Sequence, residues 1–375
     1  MKKHILIFIP SIESGGVEKN AIMVANELLA QGYEVSVLYC RIIDEKKNAF
    51  SEGIEMVKFE RRRIPHLNPR LTDAYFMKKS LKSYLGTVDA ENTVLIAFQS
   101  ASVAIGVCKK AGVKVVCRLS NHPTAVKYEQ SILRSLSECL RPFTYRKADV
   151  IVANSRKLAE DFGKKVHRDV VTIYNPIDFE DISKKAKEDI EPELLEEAKN
   201  YEGRLFLAVG RLTVQKDYDT MLKGFAMSRH KDTMLWIIGE GSQRRHLEQL
   251  ITDLHIRERV RLLGYRNNVY KYLKYGTIYL LSSRYEGCPN ALIEAVASGI
   301  PCIAADCLSG PREVLLEGEG GLLFPVGEAA ALAKCIDRYL DNQTEMITQR
   351  NLAGRQNHRF DLKTAIDAYC RIIES

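Results

Sequence analysis

The sequence predicts an α/β protein built from two doubly wound parallel-sheet domains, and three observations carry that reading. The chain has 375 residues, against roughly 100–200 residues for one domain. Short β-rich runs alternate with helix-period stretches through both halves, as in strand–helix–strand units. Most runs are apolar without a break, such as Ile5-Leu6-Ile7-Phe8-Ile9, the pattern of strands covered on both faces. Two such sheets leave a cleft between the carboxyl ends of their strands, where folds of this class bind ligands.

In the first half the strands fall near 4–10, 34–40, 54–59, 94–99, 114–119, 149–153 and 170–174. Helix-period segments lie between them, for example Val17 to Ala30, closed by Gly32. In the second half the strands fall near 205–209, 234–238, 260–263, 278–282 and 301–304. Asn175-Pro176 ends the first series, and the charged stretch from Asp181 to Glu197 reads as a surface connector before Arg204. These signals place one domain over 1–178 and another over 179–360. The last segment carries Leu362, Ala365, Ile366, Tyr369, Ile372 and Ile373 at helical spacing, so it is expected to pack on a partner surface.

Composition narrows the class. Hydrophobic residues make up 46% and charged residues 27%, which excludes a disordered chain. No uncharged apolar stretch approaches the ~20 residues that span a bilayer. Met1-Lys2-Lys3-His4 with the run Ile5 to Pro10 imitates a signal peptide, but the run is short and lacks a small-residue cleavage site, so it reads as a buried strand. Nine scattered cysteines without a C-x-x-C indicate neither a disulfide framework nor a zinc site. Reduced, buried thiols in a cytoplasmic protein are expected.

Charge is uneven. Residues 1–178 hold 28 Lys and Arg against 19 Asp and Glu, whereas residues 179–375 hold 27 against 29. A basic half joined to a near-neutral half suggests an anionic counterpart, a membrane surface or nucleic acid, through clusters such as Arg61-Arg62-Arg63, Lys78-Lys79 with Lys82, and Arg141 with Arg146-Lys147. Plain solvated charge explains them equally.

Six motifs sit at or just beyond strand ends. Ser14-Gly15-Gly16-Val17-Glu18 lies between the first strand and a helix; it is either a tight turn or a close backbone approach to a ligand, and it lacks the dinucleotide fingerprint. Gly210-Arg211 with Lys216 puts two cations on a strand-to-helix loop, able to converge on a diphosphate and neutralise a leaving group without a metal. Asp217-Tyr218-Asp219 imitates a metal-binding D-x-D, but its place at a helix start assigns it to capping. Gly239-Glu240-Gly241 is a turn, against a ligand or simply in the chain. The segment Glu286-Gly287-Cys288-Pro289-Asn290 to Glu294 sets one carboxylate in a loop and one in the following helix, with the helix start between them. A carboxylate can accept two hydroxyl hydrogen bonds, so a sugar–diphosphate–ribose ligand fits from end to end; solvated or capping carboxylates explain the pair equally. Arg118-Leu119-Ser120-Asn121-His122-Pro123 ends another strand; His122 or Asn121 there either hydrogen-bonds a sugar hydroxyl or a departing phosphate, or is a loop residue without duties.

Taken together, Gly15-Gly16-Val17-Glu18, Gly210-Arg211 with Lys216, the Glu286 to Glu294 pair and Ala297-Ser298-Gly299-Ile300-Pro301 resemble the retaining glycosyltransferases of family four, the group-1 glycosyl transferases with the GT-B fold of two Rossmann-like domains. The resemblance covers essentially the whole chain. It implies transfer of a hexosyl or N-acetylhexosaminyl group from a nucleotide sugar, with UDP favoured, to a glycan or lipid-linked acceptor in bacterial surface polysaccharide, lipopolysaccharide or capsule biosynthesis. It implies retention at the anomeric carbon, no metal and no cofactor. By motif match, Arg211 and Lys216 hold the donor diphosphate and Glu294 the ribose. Glu286 meets the sugar hydroxyls, and Gly210, Gly287, Cys288, Pro289 and Asn290 supply further donor contacts. Gly16 lies beside the phosphates, and His122 is a catalytic candidate with Arg118 and Asn121 on the acceptor side. The family's C-terminal helix crosses back to the first domain, which assigns 361–375 to it. The basic half then rests peripherally on the inner face of an anionic membrane; nucleic acid is not an expected partner. Two other readings stay in view, a nucleotide-sugar epimerase and a non-catalytic nucleotide-sugar or nucleic-acid binder.

Overall fold

The computed structural model of the chain describes residues 2–13, 15–60, 69–120 and 141–375. The chain divides into two compact units, Met1–Pro176 with Leu362–Ser375, and Ile177–Asp361. Each unit is an α/β domain around one parallel sheet, the architecture that the apolar runs predict. Among the described residues no helix is long and apolar enough to cross a membrane.

The strands are β1 (His4–Phe8), β2 (Ser11–Ile12), β3 (Glu34–Tyr39), β4 (Arg41–Ile42), β5 (Glu55–Lys58), β6 (Thr93–Ala97), β7 (Lys114–Leu119), β8 (Val150–Ala153) and β9 (Val171–Thr172) in the first unit. Seven of them form a parallel sheet in the order β5-β3-β1-β6-β7-β8-β9, and β2 pairs with β4 separately. Alternate residues of β1 serve opposite faces. Ile5 and Ile7 join the core cluster beneath the helix Gly16–Ala30, while Leu6 and Phe8 join the cluster beneath Ala101–Ala111. An unbroken apolar run is therefore required, since each face is buried.

The C-terminal helix Leu362–Glu374 belongs to this first unit. Ala365, Ile366, Tyr369, Ile372 and Ile373 complete the core cluster of Ile5 and Ile7. Its last carbonyls, which no helical N–H can reach, accept from lysines: Lys114 Nζ to Ile372 O and Lys3 Nζ to Ile373 O, both at 2.7 Å. Tyr33 Oη donates to Glu374 at 2.7 Å.

The second unit holds β10 (Leu205–Val209), β11 (Met234–Ile238), β12 (Val260–Gly264), β13 (Ile278–Leu281), β14 (Cys302–Ala305) and β15 (Leu322–Phe324), ordered β12-β11-β10-β13-β14-β15 and all parallel. Strand β15 has no counterpart in the expected set. It is three residues long, too short to show a period, and follows Gly320-Gly321, where a Cβ on Gly321 would stand 2.7 Å from Cys302 O.

The expected surface connector over Asp181 to Glu197 is corrected to two packed helices, Phe179–Ala186 and Pro192–Asn200. Each buries a single residue of its own, Ile182 or Ala198, too few to produce a visible apolar stripe. Polar contacts hold them instead. Glu197 accepts from Trp236 Nε1 at 2.7 Å and pairs with Arg261 at 2.9 Å, and Glu191 accepts from Tyr272 Oη at 2.8–2.9 Å.

Candidate functional site

In an open parallel sheet, ligands bind beyond the carboxyl ends of the strands where the strand order reverses. In the second unit the chain runs β10, β11, β12 to one side, then returns to β13, β14, β15 on the other. The reversal lies between β10 and β13, paired through Phe206–Ile278 and Leu207–Tyr279. The loops leaving these two strands are 210–217 and 282–289, which carry the predicted donor residues.

Hydrogen bonds lock the two loops together. Arg284 N–H donates to Gln215 O at 2.8 Å, Gln215 Nε2 to Tyr285 O at 3.0 Å, and Ser282 Oγ to Lys216 O at 2.8 Å. Lys216 Nζ then stands 2.6 Å from Glu286 Oε1. Glycine at 210 gives the lysine its path: a Cβ there would lie 3.2 Å from both Lys216 Cε and Tyr218 Oη. Arg211, by contrast, is exposed, and its side chain makes no hydrogen bond or ion pair among the described residues.

Asp217 marks a correction. It occupies the residue before the helix Tyr218–Met227, as expected for a cap, but its side chain accepts no backbone N–H. Its φ is +48°, a left-handed conformation that aspartate tolerates better than most residues. The carboxylate accepts from Thr220 Oγ1 at 2.9 Å and from Arg284 Nη2 at 3.0 Å. It ties the cation loop to the 282–289 loop.

Glu286 and Glu294 are both buried, each 7% exposed. The Glu286 carbonyl accepts from Ser309 Oγ at 2.7 Å, and Glu294 Oε1 accepts from Tyr270 Oη at 3.0 Å. Between the carboxylates, Gly287, Cys288 and Pro289 are buried and Asn290 opens the helix Asn290–Ala297, whose start has the positive end of its dipole. Gly310, at φ +93°, faces this loop, and a Cβ there would lie 2.7 Å from Gly287 O and Pro289 Cδ. Burial pushes the Cys307 thiol up to about 12, with the Glu286 charge adding to it. In Gly239-Glu240-Gly241 close packing requires the glycines: Cβ atoms on them would collide with the carbonyls of Gly210 and Leu212.

Ser309, Gly310, Tyr270, Gln215 and Arg284 escape sequence reasoning. The Ser309-Gly310-Pro311 loop follows β14 and carries the same strand-end signal as the loops before it. Tyr270 gives no local signal, because its contact with Glu294 exists only in the folded unit.

In the first unit, order reverses between β1 and β6. Gly16 begins the helix after β1, with Gly15 extended before it. Gln99, just beyond β6, accepts from Ser11 N–H at 3.1 Å and donates to Glu18 at 3.0 Å, tying the two strand ends together. Arg118, on β7, is 3% exposed, donates Nη2 to Asn175 Oδ1 at 2.6 Å and stacks 5.3 Å from the Phe98 ring; its Nε and Nη1 have no hydrogen-bond partner among the described residues. His122 and Asn121 lie outside the described residues. No group of three or more His, Cys, Asp and Glu placed to hold a metal occurs among the described residues.

A family model described as "Glycosyltransferase Family 4" matches residues 14–181, and one described as "Glycosyl transferases group 1" matches residues 189–357. The chain is 32% identical over 249 residues to N-acetylgalactosamine-N,N'-diacetylbacillosaminyl-diphospho-undecaprenol 4-alpha-N-acetylgalactosaminyltransferase of Campylobacter jejuni, covering 65% of this chain and 66% of that protein. It is 25% identical over 267 residues to the lipopolysaccharide core biosynthesis glycosyltransferase LpsE of Rhizobium meliloti, covering 69% of each. Among solved structures, Anabaena HepE in complex with UDP and glucose superposes with a TM-score of 0.81 at 18% identity, covering 99% of both chains.

Proposed function

This chain belongs to glycosyltransferase family 4, and from that premise we propose that it transfers a sugar from a nucleoside-diphosphate sugar to an acceptor hydroxyl, with retention of anomeric configuration. The observation that carries the reading is the reversal point of the second sheet, where Arg211, Lys216, Glu286 and Glu294 come from two interlocked loops and one helix start. Arg211 and Lys216 hold the diphosphate, Glu286 takes the sugar hydroxyls and Glu294 the ribose. The C–O bond from the anomeric carbon to the diphosphate breaks while the acceptor oxygen bonds to that carbon from the same face. The departing phosphate oxygen takes the acceptor proton, and the two cations stabilise the charge growing on the leaving group.

Metal independence is part of the proposal. What supports it is the occupation of Asp217 by Thr220 and Arg284, which commits the one formal D-x-D aspartate beside the site to holding the loops. Uridine diphosphate as the carrier is supported by the UDP bound to HepE. A lipid-linked acceptor for surface glycan assembly is supported by the diphospho-undecaprenol in the name of the Campylobacter relative and by the lipopolysaccharide role of LpsE. The basic balance of residues 1–178 suits an anionic membrane presenting such an acceptor.

Replacing Arg211 or Lys216 by Ala is expected to lower turnover of the sugar nucleotide by about 10²-fold, as for a lost transition-state donor. Chelation by EDTA should leave wild-type turnover unchanged. Near-wild-type turnover in both variants refutes the assignment. Turnover of the donor without any acceptor, yielding an isomerised sugar nucleotide, would point to an epimerase.

A further inference from the structure

The two cations of the 210–217 loop are not equivalent. The Arg211 side chain is exposed and unengaged among the described residues, open to an incoming anion. Lys216 is already neutralised, 2.6 Å from Glu286, with side-chain exposures of only 16% and 8%. Separating a pair this buried strands a carboxylate in a poorly solvated place, which is far more costly than losing a surface ion pair. Whatever binds there must therefore give Glu286 a replacement for the lysine.

The diphosphate group of a spent nucleotide brings only acceptor oxygens to this pair, the ribose hydroxyls lying with Glu294. It draws Lys216 away and leaves the Glu286 carboxylate without the lysine's hydrogen bond, beside added negative charge. A nucleotide sugar brings hydroxyl groups as well, and each hydroxyl can donate to the carboxylate that the lysine releases. We propose that the Lys216–Glu286 pair is a selectivity element that favours the intact sugar donor over the spent nucleoside diphosphate. The exchange penalises the product and leaves the substrate nearly unpenalised, so the pair also hastens product release. This inference rests on the reading of the 210–217 and 282–294 loops as the donor site.

The test is a calorimetric titration of the full chain with UDP, GDP and ADP and with the glucose conjugate of each, carried forward with the base that binds tightest. Wild-type protein should bind the sugar nucleotide at least as tightly as its diphosphate. Glu286→Gln keeps the shape and removes the charge. It is expected to tighten the diphosphate about tenfold and to weaken the sugar nucleotide, reversing the preference. A wild-type protein that prefers the diphosphate tenfold overturns the proposal without recourse to any variant. So does a folded Glu286→Gln protein, verified by its melting curve, whose diphosphate affinity is unchanged or weaker. If no nucleotide binds wild-type protein, the donor-site reading itself fails; binding without the shift removes the selectivity element alone.

Discussion

Replacing Gly310 by Ala probes the site through a residue that need never touch substrate. At φ +93° an L side chain is strained by about 1–3 kcal/mol. The new Cβ would also lie 2.7 Å from Gly287 O and Pro289 Cδ and 3.2 Å from Cys288 Cα. Ordinary contact begins at 3.4 Å, so the 287–289 backbone must retreat by 0.7 Å. That backbone precedes the helix start between Glu286 and Glu294. A 1 Å misplacement of reacting groups costs about 10²-fold, so a shift of this size should cost about tenfold or more in kcat/KM. The melting temperature should fall by roughly 4–8 °C for about 2 kcal/mol of strain in a unit of this length. The assay pairs a nucleotide titration with donor turnover, alongside a thermal melt. A Gly310→Ala protein with nucleotide affinity and kcat/KM within twofold of wild type would show that the 287–289 backbone does not serve the donor.

Tyr270→Phe removes the hydroxyl that donates to Glu294 Oε1 at 3.0 Å. A hydrogen bond to a charged group contributes about 1.5 kcal/mol at the low end, so donor affinity should fall about tenfold while kcat changes little; a change confined to kcat contradicts a ribose role for Glu294. Asp337 provides a pH test of the second unit. Burial raises its carboxyl, but hydrogen bonds from Ser228 Oγ at 2.7 Å and from Arg229 outweigh burial and hold it below the ordinary 3.8. The unfolded chain therefore takes up this proton first as pH falls, so the contribution is complete above the ordinary value and is lost as pH drops through the folded one. Asp337→Asn should lower the urea-unfolding free energy by about 1–2 kcal/mol at pH 7. The gap should narrow toward pH 3, and one that persists there assigns the effect to packing.

Both sheets are legible from their apolar runs because a strand covered on two faces has no polar positions to hide its limits; Ile5 to Phe8 and Met234 to Ile238 are the clearest cases. Legibility fades where polar contacts do the holding. Helices Phe179–Ala186 and Pro192–Asn200 look like a charged tether until Asn268 is seen to donate to Lys185 O, and Trp236 and Tyr272 to Glu197 and Glu191. In the site, strand-end logic locates Lys216 and Glu286 separately, yet nothing in their spacing announces that they pair. That pairing follows from the β10–β13 neighbourhood, which is a property of sheet order. Asp217 likewise reads as a cap because caps are local, whereas its actual partner Arg284 is 67 positions away.

The chain leaves the first unit at Pro176 and returns at Leu362, and Ile177 bridges Asp361 at the crossing, with its N–H bound to Phe360 O at 2.7 Å. Synthesis runs from the N-terminus, yet the half made first lacks Tyr369 and Ile373 until the final turns of helix have emerged from the ribosome. The half made second is continuous and can mature before it. Order of birth and order of completion are thus inverted, and the earlier sheet must wait, one face only partly covered, for the helix Leu362–Glu374.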